Sequence, residues 1–130
     1  MKLLVDTQVW LWMLADPDRF SKRARRLLAR ADTELYLSAA SAWEIAIKWS
    51  LGKLKLPADP AEFVASRVDQ SGVIPLAIRH AHALQVARLP PHHRDPFDRL
   101  LVAQASVEDL TVLTGDRQLE PYGIPIQWAN

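Results

Sequence analysis

Four carboxylic acids stand in sequence settings that suit a metal site. Asp6 follows the apolar run LLV, Glu44 lies in SAASAWEIAIK, Asp98 lies in DPFDRLLVAQA and Asp116 lies in LTGDRQL. Carboxylate oxygens are the ligands that Mg²⁺ and similar hard cations prefer. Carboxylates that crowd into one site raise one another's pKa values, and a shared cation relieves that repulsion. The sequence therefore predicts a divalent-cation site if the fold brings the four acids together.

Each acid also has a purely structural explanation. Asp6 could cap the helix that follows it, and Asp116 could belong to an ordinary turn, T-G-D-R. Ser41 and Glu44 spell a capping box, S-A-W-E, in which the two side chains satisfy free backbone donors at a helix start. For Glu44 this alternative is the strongest of the four.

The third acid has a competitor nearby. Asp95 precedes Pro96, and Asp98 follows three residues later, so the two could be the N-cap and N3 residues of one helix. Asp95 fits the cap better, which favours Asp98 as the metal ligand. Independent caps need not share one edge of a domain, and four acids at one edge would outweigh the separate structural explanations.

The hydrophobic pattern alternates short apolar runs with amphipathic segments. Capping and stop signals at Ser21, Gly52, Asp59 and Gly72 mark helix ends. The predicted strands cover residues 3–5, 35–37, 73–75, 110–114 and 125–128. The predicted helices cover residues 7–14, 22–31, 39 or 41 to 50, 60–71, 76–87 and 96–107.

This alternation predicts an α/β fold, a three-layer α/β/α sandwich with a mainly parallel twisted sheet, formed by one domain over residues 1–130. In such a sheet the carboxyl ends of the strands and the N-termini of the crossover helices share one edge, where ligands bind. Asp6 and Asp116 follow strands, whereas Glu44 and Asp98 lie in the opening turns of helices. All four acids are therefore expected at the same edge.

Composition narrows the class of protein. The chain has 130 residues, no cysteine and a formal net charge of +1, so disulfides, thiolate zinc sites and cysteine nucleophiles are excluded. The lack of cysteine fits a reducing compartment, and we expect the cytoplasm. No apolar run reaches the roughly 18 residues of a membrane span, so no membrane association is expected. Glycines are too few and too scattered for a phosphate-binding loop.

Histidines and aromatic residues carry weaker signals. His80 and His82 are expected on a helix surface, whereas His92 and His93 fall in a proline-rich loop. Among these, His93 approaches the third acid. The five tryptophans could stack nucleic-acid bases, but tryptophans at helical positions are more often core or interface residues. The nearly all-apolar segment 7–14 and the stripe 24–31 predict a protein partner, because a small monomer could hardly cover both.

The combined motifs resemble the PIN-domain family, in particular the VapC-type ribonuclease toxins of toxin–antitoxin pairs. The resemblance is carried by VDT, by S-x-x-S-x-W-E-I-A-I-K with G-K-L after it, by D-P-F-D-R-L-L-V-A-Q-A and by T-x-D, and it runs from Leu4 to about Tyr122. It implies a Mg²⁺- or Mn²⁺-dependent endoribonuclease, held inactive by a VapB-type antitoxin and often homodimeric. It places the metal-site acids at Asp6, Glu44, Asp98 and Asp116, with Thr7, Ser41 and Thr114 as supporting residues and Asp95 as the doubtful member.

The predicted chemistry is hydrolysis of an RNA phosphodiester bond by an activated water. Arg94, Arg99 and Arg117 lie near the acids and are candidates for holding flanking phosphates. A non-catalytic RNA-binding or regulatory module on the same scaffold is the alternative, and the presence of all four acids counts against it. A phosphoryl-accepting receiver domain fits less well, because LLVDT offers one acid where a pair is needed.

Overall fold

A computed structural model describes all 130 residues. Its centre is a five-stranded sheet in the order β3-β2-β1-β4-β5, in which every neighbouring pair is parallel. The strands are β1 (Lys2–Val5), β2 (Glu34–Ser38), β3 (Ile74–Leu76), β4 (Thr111–Thr114) and β5 (Ile126–Trp128).

Six α-helices connect the strands. They are α1 (Thr7–Ala15), α2 (Lys22–Leu28), α3 (Ala39–Ser50), α4 (Pro60–Ser71), α5 (His80–Gln85) and α6 (Pro96–Glu108). Three short 3₁₀ helices span Pro17–Arg19, Val86–Arg88 and Arg117–Tyr122.

The sheet carries an apolar layer on each face, which confirms the predicted sandwich. Along β1, Leu3 and Val5 belong to one cluster of buried residues, whereas Leu4, which lies between them, belongs to the other. This alternation follows from the two-residue period of a strand. Helix α1 contributes Trp10 to the first cluster, and α6 contributes Leu101 to the second. The two layers cover the faces of the sheet and leave the carboxyl ends of the strands open at its edge.

Local capping signals set most helix starts, as predicted. Ser21 accepts the backbone N–H of Ala24 at the start of α2, and Asp59 accepts that of Glu62 at the start of α4. Gly72 ends α4 with a φ of 73°, a left-handed conformation that suits glycine. These elements therefore follow from neighbouring residues alone.

Two predicted helix boundaries are wrong. The helix expected from residue 76 begins only at His80, because Leu76 pairs with Ser38 as the last residue of β3. Helix α2 ends at Leu28 and not at residue 31. In both places long-range pairing or a tight turn overrides a helical apolar pattern.

The apolar residues of α1 and α2 pack against the first core cluster. Leu11, Trp12, Met13, Leu27 and Leu28 are partly buried against the first core cluster. The large apolar side chains that are exposed lie elsewhere: Met1, Trp43, Trp49, Leu51, Ile74, Ile78, Leu84 and Val107. Part of the surface of both stripes stays exposed, in keeping with the predicted need for a second protein to cover them. No helix of the structure combines the length and the apolar character that a membrane crossing requires.

Candidate active site

An open cavity of about 540 Å³ lies at the carboxyl edge of the sheet. Strands β1 and β4 end at it, and helices α1, α3 and α6 begin there. Its charged lining consists of five acids and two lysines: Asp6, Glu44, Asp95, Asp98, Asp116, Lys48 and Lys53. The four acids named in the sequence analysis thus line one cavity, as the parallel topology requires.

Asp6 combines a capping role with a place in the cavity. Its Oδ1 accepts the backbone N–H groups of Gln8 and Val9, at 2.7 and 3.3 Å, which caps α1. Its Oδ2 accepts the hydroxyl of Thr114 at 2.7 Å. Burial raises the pKa of Asp6 above its ordinary value, and nearby Glu44 adds to the rise, although these hydrogen bonds oppose it. The structural explanation and a ligand role are therefore compatible for this residue.

Glu44 is not part of a capping box. Helix α3 begins at Ala39, and its N-cap is Ser38, whose hydroxyl accepts the backbone N–H of Ala40. Glu44 lies one turn further on, where no free backbone donor remains to be capped. Its buried side chain accepts a hydrogen bond from Lys48 Nζ at 2.5 Å. That contact raises the pKa of Lys48.

Asp95 is the N-cap of α6, as predicted, and Asp98 faces the cavity. Asp95 Oδ1 caps α6 by accepting the backbone N–H groups of Phe97 and Asp98. Asp98 points into the cavity with 20% of its side chain exposed. Burial, followed by the charges of Asp95 and Asp6, raises the pKa of Asp98 to about 7. In the absence of a cation, this site therefore destabilises the ionised form of Asp98 more than that of the other acids.

A histidine lies between Asp116, to which it is hydrogen-bonded, and Asp98. His93 Nε2 lies 3.1 Å from Asp98 Oδ2 and 3.3 Å from Asp116 Oδ2. The three side chains offer ligand atoms that all lie within 4.8 Å of one another. Asp116 Oδ1 also accepts the backbone N–H of Gln118, which starts the 3₁₀ helix. Gly115 precedes Asp116 at a point where an added Cβ would lie 3.1 Å from the ring of Trp12.

The predicted supporting residues connect the elements that carry the acids. Thr7 donates its hydroxyl to Ser41 Oγ at 2.7 Å, which ties the start of α1 to the start of α3. Thr114 accepts the backbone N–H of Asp116 at 2.9 Å and donates to Asp6. Thr114 therefore fixes two of the acids relative to each other.

The three candidate arginines have different surroundings. Arg99 donates to the carbonyls of Val86, Leu89 and Pro90 and to the hydroxyl of Tyr122, so its guanidinium organises the loop before α6. These bonds engage both terminal nitrogens of Arg99, whereas its role as a phosphate contact stays a prediction. Arg117 stacks 3.8 Å over the Trp128 ring and donates to the carbonyl of Asn130. Arg94 is exposed and makes no hydrogen bond or ion pair.

His82 contradicts its prediction as a surface residue. Its side chain is fully buried beneath α6, where Nε2 lies 2.8 Å from Glu108 and Nδ1 accepts the backbone N–H of Arg79. The tryptophans differ in burial. Trp10 is a core residue, whereas Trp43 is 58% exposed and contacts Phe97 edge-to-face.

Two residues at the cavity were absent from the predicted site. Lys48 carried a signal, because it stands four residues after Glu44 and so faces the same side of α3. His93 was not among the predicted site residues; its position two residues before Asp95 was the available clue. Neither signal gives the distance to the acids, because that distance depends on how α3 and the loop before α6 converge.

Comparison with known proteins identifies the family. Residues 3–124 match the model of the PIN domain. Ribonuclease VapC22 of Mycobacterium tuberculosis is 30% identical over 126 residues, which cover 95% of this chain and 93% of that protein. Ribonuclease VapC16 of the same organism is 45% identical over 58 residues, which are 45% of this chain and only 41% of that relative. The chain belongs to the PIN-domain family, and these relatives are VapC ribonucleases.

Solved structures show the same fold. The VapBC2 complex of Rickettsia felis bound to a promoter DNA fragment contains a chain that aligns with a TM-score of 0.73 at 14% identity, covering 100% of both chains. The DNA-bound VapBC of Salmonella typhimurium aligns with a TM-score of 0.70 at 17% identity, covering 100% of this chain and 99% of that one. The predicted PIN-like α/β fold is confirmed.

Proposed function

We propose that this chain is a divalent-metal-dependent endoribonuclease and the toxin of a toxin–antitoxin pair. The observation that carries the proposal is the cavity in which four acids converge on a PIN-domain fold, one of them, Asp98, with a pKa of about 7. A strongly perturbed acid in a cleft is typical of a functional site. The VapC ribonucleases among the relatives support the same reaction.

The donor set fits a hard cation. Asp6, Glu44, Asp98 and Asp116 offer only carboxylate oxygens, and the chain has no cysteine for a softer metal. Mg²⁺ or Mn²⁺ is therefore the proposed cofactor. When bound, such an ion lowers the pKa of a water and neutralises charge that develops on the phosphate. The chain's own residues position the carboxylates. The Thr114 hydroxyl orients Asp6, and the start of α3 presents Glu44.

Cations of the chain would hold the substrate backbone. Lys48 and Lys53 line the cavity, and Arg94 is exposed beside the loop residue His93. Arg117 lies next to Asp116 with its guanidinium on Trp128. Contacts of this kind to RNA phosphates weaken with salt, so substrate binding should fall steeply as salt rises.

Binding partners belong to the proposal as well. Structures similar to this chain are VapBC complexes, and we propose a VapB-type antitoxin as the partner that blocks the cavity, with a homodimer as the assembled form. The exposed apolar side chains on α3, α5 and α6 are available for such contacts. The cytoplasm is the proposed location, in keeping with a chain that has no cysteine.

The test is cleavage of structured RNA by the purified chain with Mg²⁺, with Mn²⁺ and with EDTA. We expect cuts at discrete sites that EDTA abolishes. Asp6→Asn and Asp98→Asn should each reduce the cleavage rate by more than about 100-fold. Removal of a residue that only hydrogen-bonds a metal ligand already lowers metal affinity or activity by about 10–100-fold. Asp109→Asn, an exposed acid at the other end of α6, is the matched control.

Two results would overturn the proposal. Full cleavage by Asp98→Asn with metal present would remove the site assignment. RNA retention without any cleavage by the wild-type chain would favour the non-catalytic RNA-binding module instead.

A further inference from the structure

His93 is held at the cavity by three separate contacts. Its backbone N–H donates to the Tyr122 hydroxyl at 3.0 Å, and its Nδ1 accepts the backbone N–H of Asp95 at 3.1 Å. Its Nε2 then faces Asp98 and Asp116. The side chain is 12% exposed. The ring therefore has one orientation, fixed from the backbone side and directed at two of the proposed metal ligands.

The hydrogen bonds determine where the ring carries its proton. A backbone N–H can only donate, so Nδ1 of His93 must present its lone pair to Asp95. In the neutral ring the hydrogen is then on Nε2, which donates it to Asp116 Oδ2. A cation ligand needs a lone pair on Nε2, and this tautomer has none there. The ring consequently stands among the ligands without being able to act as one.

The loop that holds His93 is itself firmly attached. Arg99 donates to the carbonyls of Leu89 and Pro90 and to the hydroxyl of Tyr122, the same oxygen that accepts the backbone N–H of His93. These contacts hold the loop against α6 in addition to the one that the ring makes with the Asp95 backbone. They remain when the imidazole is removed.

We propose that His93 is a positioning residue, a fixed N–H donor that holds one oxygen of Asp116 beside Asp98 and so presents Asp116 to a divalent cation that the histidine does not itself ligate. The inference rests on the proposed function, because the cation is the one proposed above. Neither carboxylate oxygen of Asp98 takes the hydrogen bond of the ring, which goes to Asp116 Oδ2. Outer hydrogen bonds of this kind orient metal ligands in many sites.

The test compares Mn²⁺ binding to wild type, His93→Ala and His93→Gln by titration calorimetry. A glutamine amide reaches about as far as Nε2 and keeps an N–H donor, whereas alanine removes it. We expect the Mn²⁺ dissociation constant to rise about tenfold in the alanine variant and to return to within about threefold of wild type in the glutamine variant. His80→Gln, an exposed histidine on α5, is the control for an unrelated histidine change.

Nitrogen NMR of the histidine rings supplies a readout that a structural role alone would not move. We expect Nε2 of His93 to carry the proton both without metal and with Mg²⁺ bound. Loss of that proton on adding Mg²⁺, with glutamine binding Mn²⁺ as poorly as alanine, would show that His93 is a direct ligand and overturn the proposal. Unchanged Mn²⁺ affinity in the alanine variant would overturn it too.

Failure of the proposed function gives a different result. If the wild-type chain binds no Mn²⁺, the metal-dependent nuclease is overturned, and the positioning role with it, whereas the ring spectrum of the metal-free chain still decides the tautomer. If the chain binds Mn²⁺ and cleaves RNA but the ring carries its proton on Nδ1, only the inference about His93 is overturned.

Discussion

The two ends of helix α6 carry the same histidine–carboxylate arrangement in opposite electrostatic settings. At the C-terminal end, His82 accepts a backbone N–H at Nδ1 and directs Nε2 to Glu108. At the N-terminal end, His93 also accepts a backbone N–H at Nδ1 and directs Nε2 to Asp98 and Asp116. The local hydrogen bonding is alike, so the difference between the two clusters comes from the charges around them.

The C-terminal cluster balances its charge and the N-terminal cluster does not. Hydrogen bonds from His82 and Arg79 lower the pKa of Glu108. At the other end, burial and the neighbouring acids raise the pKa of Asp98 to about 7, and His93 only partly offsets them. A cluster that satisfies itself stabilises the fold, whereas one left with excess negative charge lowers stability until a cation binds. Charge imbalance, and not the presence of a histidine, therefore distinguishes the candidate site.

Replacement of the buried histidine should have the largest effect on stability. His82→Ala leaves a cavity and removes the partner of Glu108, so we expect the free energy of unfolding to fall by about 3 kcal/mol. His93→Ala, at the partly exposed site, should lower it by about 1 kcal/mol or less. Urea unfolding of both variants in EDTA measures the difference. Equal losses would show that the two clusters do not differ as described.

Neutralising Asp98 should stabilise the metal-free chain. Its folded pKa of about 7 lies above the unfolded value of 3.8, so the folded state binds the proton more tightly. The stability associated with this group is present below about pH 4 and is lost as pH rises to about 7. Above pH 7, Asp98→Asn should therefore raise the free energy of unfolding by about 1–3 kcal/mol, allowing for solvent screening.

In the same pH series, Glu108→Gln should change the free energy of unfolding in the direction opposite to Asp98→Asn. The lowered pKa of Glu108 means that its contribution is present at neutral pH and is lost as pH falls below its ordinary value of 4.5. Glu108→Gln should thus be less stable than wild type at pH 8 and close to it at pH 3. Destabilisation by Asp98→Asn at pH 8 in EDTA would contradict the assignment of unbalanced charge to the cavity.

The smallest predicted effect concerns the lysine inside the cavity. Lys48 pairs with Glu44 while remaining half exposed, so its ammonium competes with a metal ion for that carboxylate. Lys48→Met should lower the Mn²⁺ dissociation constant by about two- to fivefold, the size typical of an exposed pair. Lys55→Met, an exposed lysine outside the cavity, is the control. Weaker Mn²⁺ binding by Lys48→Met would show that Lys48 supports the site instead of competing for it.

The sequence was most informative where neighbouring residues decide the structure. Asp59 and Asp95 cap helices as predicted, and the short strands occur close to their predicted places, because caps and apolar runs act over a few residues. The parallel topology then brings the four acids to one edge. That the acids line one cavity was therefore predictable from local signals together with a general rule of α/β sheets.

Long-range contacts account for what the sequence did not predict. The burial of His82 depends on Glu108, which is 26 residues away in the chain. The Ser38 hydroxyl donates to Gln104 of α6, a contact between residues 66 apart in the chain. Arg99 donates to the carbonyls of Val86, Leu89 and Pro90, partners that the sequence did not indicate. None of these contacts leaves a periodic or spaced pattern in the sequence.

The most direct test of the central claim is a crystal structure of the chain soaked in Mn²⁺, with the metal located by its anomalous scattering. The excess negative charge of the cavity predicts a Mn²⁺ ion bound by oxygens of the four acids, with His93 outside the ligand set. These acids are Asp6, Glu44, Asp98 and Asp116. No peak at the cavity, or a peak at the balanced Glu108 cluster instead, would contradict the account.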